Sequence, residues 1–139
     1  MNLIEQSLEL ASERCTDLTP LVYARLFAAH PEMERLFWRD KTHAIKGEML
    51  ARVFEIILDY VGTRQYAAQM IQCEVVTHSQ YDVPPEVFRT FFGTVKETIR
   101  EVLAAAWTDE IDGAWRELLG ELDYFVLHPN QAETAGALP

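Results

Sequence analysis

Basic residues are scarce in this chain. Twelve Lys and Arg stand against 22 Asp and Glu, a formal net charge of −10 over 139 residues. Non-specific nucleic-acid binding needs a cationic face that displaces counterions from phosphates, so the balance argues against that class of partner. Cysteine is as sparse. Cys15 and Cys73 form neither a metal-ligand spacing nor a Cys-x-x-Cys pair. Two isolated cysteines suit a reduced state and a cytoplasmic setting. Long apolar runs are missing too: none approaches the roughly 20 residues that a membrane-spanning helix requires. The start, Asn2-Leu3-Ile4-Glu5-Gln6, is amphipathic from the outset and lacks the pattern of a cleaved leader. Internal repeats, low-complexity stretches and dividing linkers are also lacking, and no run alternates with a period of two for long enough to make a strand. What these absences leave is one soluble all-α domain, with no membrane partner. Its hydrophobic share of 49% is enough for a core without disulfide or metal staples.

What is present reads as helix almost throughout. A first helix is expected from about Asn2 to Arg14, with Leu3, Leu8, Leu10 and Ala11 as its apolar positions. Thr19 is placed to cap a second helix with Pro20 in its first position, where a missing N–H costs nothing. His30-Pro31 forces a corner, because the residue before proline is pushed out of the helical region, and a short helix from Pro31 to Leu36 follows. Thr42 is placed to cap a long helix to Val61, with the stripe Leu50, Val53, Phe54, Ile57, Leu58 and Val61, ended by Gly62. A run from Tyr66 to Gln80 carries His78 on one face with Val75 and Ile71. Pro84-Pro85 opens a helix whose inward side is Val87, Phe88, Phe91, Phe92, Val95, Ile99, Val102 and Leu103. Thr108 caps the last helix, and Asp109 and Glu110 sit in its first turn, where the helix dipole favours anions. The domain is read as residues 1–128, with 129–139 a flexible tail.

Three patterns recur in a telling order. They are Tyr-x-x-Leu-Phe-x-x-His-Pro-Glu-x-x-x-Leu-Phe from Tyr23 to Phe37, His-x-x-x-x-Val-x-Pro-Glu from His78, and Trp107-Thr108-x-Glu110 followed by Ala114-Trp115. Each is weak alone. In this order and spacing, over about Leu21 to Leu127, the chain resembles the globins, and most closely the single-domain bacterial haemoglobins and the globin half of flavohaemoglobins. The resemblance implies six or seven helices around a pocket for a b-type haem. It makes His78 the proximal iron ligand, Tyr23 the distal donor of a hydrogen bond to bound gas, and Phe37 the ring packed on the porphyrin. Lys46 takes the distal position that bacterial haemoglobins usually fill with glutamine. Leu50 lies one turn later on the same face, and Val83, Phe88 and Phe91 follow His78 at spacings that wall the proximal and inner sides. The implied ligands are O2, NO and CO. NO dioxygenation would need an external reductase, because no Gly-rich phosphate-binding motif for a flavin or nicotinamide occurs in this sequence. A homodimer stays open.

Three positions depart from that pattern. Lys46 either covers the haem edge with its stem while its ammonium reaches solvent or a propionate, or it ligates the iron as a free amine, which needs a depressed pKa. Glu74, four residues before His78, stands where globins ordinarily place an apolar side chain; it either swings to the rim or pairs with Lys46 in a pocket without haem. Asn130 falls where the bacterial pattern has a glutamate linked to the proximal histidine. The competing reading is therefore a haem-free interaction module of the same fold that binds a partner protein.

Overall fold

In the computed structural model, Met1 to His128 are described; the expected tail and Asn130 lie outside these residues. Six α-helices and two 3-10 segments follow one another. They are α1 (Leu3–Arg14), α2 (Thr19–Ala29), a 3-10 segment (Pro31–Phe37), α3 (Ala44–Val61), α4 (Ala67–Ser79), α5 (Pro85–Leu103), a 3-10 turn (Ala104–Ala106) and α6 (Asp109–Leu127). No strand occurs among the described residues. Helix α5 is the hub and packs on α1, α2, α4 and α6, while α3 packs on α2 and α4. Its buried residues Phe92, Val95, Ile99 and Leu103 recur at helical spacing and meet Trp115, Leu118 and Leu122 of α6 in one core.

Local chemistry explains most boundaries. Asn2 closes a capping box on α1: its Oδ1 accepts from the Glu5 N–H at 2.9 Å and its own N–H donates back to the Glu5 carboxylate. Thr108 accepts from the Ile111 N–H at 3.1 Å, as its position predicts. Gly62 ends α3 where a Cβ would come within 2.9 Å of the Leu58 carbonyl oxygen.

Two expected caps are wrong. Thr19 is already helical, and the acceptor for its N–H is Asp17 Oδ1 at 3.0 Å. Thr42 does not cap α3 either. His43 holds the cap position in a left-handed conformation, φ 65°, and this turn directs the N–H groups of Ile45 and Lys46 at the Asp40 carboxylate, both at 3.0 Å. The short third helix is a 3-10 segment, Pro31–Phe37, and its seven residues are long for that tighter form.

The stripes also need correction at their edges. On α1 the fully buried positions are Ile4, Ser7 and Ala11; Leu8 and Leu10 are half-buried against the core, and Leu3 is exposed. Ser7 is inside because its hydroxyl accepts from the Trp115 indole N–H at 2.9 Å and donates to the Ile4 carbonyl. Leu21 and Leu58 face solvent, while Ile56, outside the expected stripe, is buried.

Candidate functional site

Helix α4 is held from its start. Asp59, near the end of α3, accepts from the N–H groups of Gln65, Tyr66 and Ala67, at 3.1, 2.9 and 2.7 Å. Burial would raise the pKa of this carboxyl, but those three amides and the Thr63 hydroxyl outweigh it and hold it below the ordinary value. At the other end the His78 carbonyl accepts from the N–H groups of Tyr81 and Val83, both at 3.0 Å. The half-buried Val83 is thereby folded back beside the histidine.

The ring of His78 is oriented by its own helix. Nδ1 lies 2.7 Å from the Glu74 carbonyl oxygen. A carbonyl only accepts, so Nδ1 carries the hydrogen, and in the neutral ring Nε2 keeps its lone pair. The edge of Phe88 packs against the imidazole with ring centroids 5.0 Å apart. Phe88 in turn meets Phe92 of the core.

A second cluster forms around Tyr23 of α2. Its ring touches Phe27, Phe37 and Phe91, with centroids 5.8, 5.5 and 5.5 Å away. The residue is 3% exposed and its hydroxyl is buried without a hydrogen-bond partner. Burial first, and the nearby Asp40 charge second, push the phenol well above its ordinary range, so it stays a protonated donor. Lys46 closes this side. Its Nζ lies 3.4 Å from Asp40 Oδ2, 3.3 Å from His43 Nδ1 and 5.1 Å from the centroid of the Phe37 ring. Asp40 itself is buried; its Oδ1 serves the Ile45 amide, and the charged Oδ2 serves both the amide and the ammonium of Lys46.

The two clusters meet on α5. Phe91 touches Tyr23 and Phe88 touches His78, one helical turn apart, a rise of about 4.5 Å. Leu50 is buried on α3 one turn beyond Lys46, where it also lines a recess of about 240 Å³ with Gly47, Ala51 and Phe54 under the α1–α2 corner. A separate recess of about 390 Å³, lined by Arg25, Arg100, Glu101 and Trp107 among others, contains none of these residues. Among the described residues no three His, Cys, Asp or Glu side chains converge as a bare-ion site.

A family model described as Globin matches residues 21–124. The chain belongs to the globin family. It is 26% identical over 141 aligned positions to the flavohemoprotein of Vibrio cholerae, covering 99% of this chain and 34% of that protein. It is 30% identical to the flavohemoprotein of Rhizobium meliloti over 103 positions, 72% of this chain and 25% of that one. This globin thus spans about a third or less of the curated relatives it matches. No solved structure matches its sequence significantly.

Within the globin frame the departures at positions 46 and 74 acquire partners. Lys46 does not pair with Glu74: its ammonium belongs to Asp40 and His43, whereas Glu74 Oε1 accepts from Arg52 Nη1 at 3.2 Å. Sequence reasoning missed Asp40 and Arg52. Asp40 had a legible signal, an acidic residue just ahead of a helix start. Arg52 had none, because its partner lies on another helix. No helix among the described residues is long and apolar enough to cross a membrane.

Proposed function

We propose that this globin holds one b-type haem through His78 and binds O2, NO or CO reversibly on the opposite side, under Tyr23. The observation that carries the reading is a pair of polar groups set against phenylalanines one turn apart on α5: His78, whose Nε2 keeps its lone pair, against Phe88, and Tyr23, whose buried hydroxyl has no partner of its own, against Phe91. A buried hydroxyl left unpaired costs free energy, so its retention fits a donor kept for a ligand. A single imidazole among apolar walls would also fit a metal that a cofactor carries with most of its ligands already supplied. Phe37, Leu50, Val83, Phe88 and Phe91 would supply those walls. A bound haem would contribute an iron able to take up and release a neutral diatomic gas.

The chain's own part is to orient, exclude water and donate. The Glu74 carbonyl fixes the tautomer and direction of the His78 ring. The Tyr23 hydroxyl favours a ligand that gains negative charge, because a hydrogen bond to a charged acceptor is about twice as strong as a neutral one. Asp40 and His43 keep the Lys46 ammonium engaged beside the Phe37 ring, which supports a lysine that covers the site rather than ligates in it. Oxidation of NO by O2 would fit such a site only with a reductase that returns electrons. The free cysteines Cys15 and Cys73 fit the reducing cytoplasm.

The test is a hemin titration of the haem-stripped protein and of His78→Ala, followed by visible spectra in the ferric and ferrous states. Wild type should saturate at one hemin per chain with a spectrum of axial histidine ligation, and the variant should lose that signature. Identical spectra in the two proteins would overturn the ligand assignment. Absence of saturable binding in wild type would favour a haem-free module.

A further inference from the structure

The proposed function leaves one set of polar contacts unused. The Nδ1–H of His78 faces two oxygens of the same residue: the Glu74 carbonyl at 2.7 Å, and Glu74 Oε2 at 3.6 Å. The other carboxylate oxygen, Oε1, accepts from Arg52 of α3 at 3.2 Å. The Glu74 side chain is 21% exposed and that of Arg52 57%, so the carboxylate is largely shielded while its guanidinium partner stands in solvent. Three groups on two helices therefore form a line, Arg52–Glu74–His78, that ends on the candidate ligand.

An imidazole that binds a metal through one nitrogen responds to the acceptor at the other. A carboxylate acceptor makes the ring a stronger donor to the metal than a neutral carbonyl does. We propose that Glu74 is a positioning residue for His78: its carboxylate, 3.6 Å from Nδ1, adds negative potential at the ring beside the carbonyl hydrogen bond, and Arg52 sets how much. Pairing with Arg52 draws the carboxylate towards α3 and lowers its negative potential at the ring. Loss of Arg52 releases it towards His78. The carboxylate comes from the helix of the ligand itself, four residues earlier, at the position where globins ordinarily carry an apolar side chain. The inference rests on the reading of His78 as the iron ligand.

A purely structural account makes a different forecast. An exposed ion pair that only ties α3 to α4 contributes little, and removing either partner should have the same small effect on stability and none on the iron. The discriminating experiment is resonance Raman spectroscopy of the ferrous, hemin-reconstituted protein, read at the iron–imidazole stretching band. Glu74→Gln should shift the band to lower frequency, because the remaining acceptors are neutral. Arg52→Met should shift it to higher frequency, because the carboxylate is released. The double variant should match Glu74→Gln, since Arg52 acts only through Glu74. A band unmoved by Glu74→Gln, or moved in the same direction by both single substitutions, would overturn the proposal while leaving His78 as ligand. A band that survives unchanged in His78→Ala would overturn the ligand assignment itself, and the proposal with it.

Discussion

Tyr23 lends itself to a prediction in which one substitution has opposite signs in two states. Its hydroxyl is buried with no partner from the protein, while the ring keeps contacts with Phe27, Phe37 and Phe91. Tyr23→Phe removes the stranded group and retains the ring. An unsatisfied buried polar group costs about 1–3 kcal/mol, so the haem-free variant should be more stable than wild type by about that amount. The loaded protein should respond the other way. If the hydroxyl donates to a gas that has gained negative charge, its loss forfeits roughly 1.5–3 kcal/mol, which is about tenfold or more in the dissociation rate of O2. Urea unfolding of the haem-free proteins reads the first effect, and stopped-flow displacement of O2 reads the second. A haem-free Tyr23→Phe that is less stable than wild type would mean that the hydroxyl has a protein partner. Unchanged dissociation of O2 would mean that it does not face the ligand.

Lys46 and Glu74 should act independently. Their partners differ, Asp40 and His43 for one and Arg52 with His78 for the other, so a cycle of Lys46→Met and Glu74→Gln measured by urea unfolding should be additive within about 0.5 kcal/mol. A larger coupling would place the two side chains together. Asp59 should leave an acid signature. Its pKa is held below the unfolded value of about 3.9, so its contribution is present above that pH and disappears as pH falls through the folded value. Asp59→Asn should therefore unfold at lower urea than wild type at pH 7, with a difference that shrinks below about pH 4. A difference that stays constant with pH would show that the amides of Gln65, Tyr66 and Ala67 do not depend on the charge.

Much of the architecture was legible because its signals are local. Pro84-Pro85, Gly62 and Thr108 each act within a few residues, and the elements they bound lie where the spacing predicts. The beginning of α3 was not legible, since it depends on a left-handed His43 that turns two amides back towards Asp40. The buried face of α1 was misjudged for another reason. Ser7 looks like a surface residue until the Trp115 indole arrives from the far end of the chain. At the candidate site the residue types of His78, Tyr23 and Phe37 could be read directly. The group that aims His78 could not, because it is a backbone carbonyl that every residue possesses. Glu74 stood out as an oddity of charge, and only the neighbouring helix supplies the arginine that accounts for it.

The Ser7–Trp115 contact separates two meanings of the word domain. The Globin family model matches residues 21–124, yet Ile4, Ser7, Ala11 and Val126, all beyond those limits, are buried in the molecule. Helix α1 covers α5 and α6 and supplies the acceptor for a tryptophan that is fully enclosed. Cutting the chain to residues 21–124 would leave that indole N–H facing either water or nothing, and would strip one side from the hub helix on which Phe88 and Phe91 are mounted. The stretch that the family model matches is thus shorter than the stretch that shares one core. Helix α1 is thus a structural support of the site, although none of its side chains is a candidate to touch a ligand.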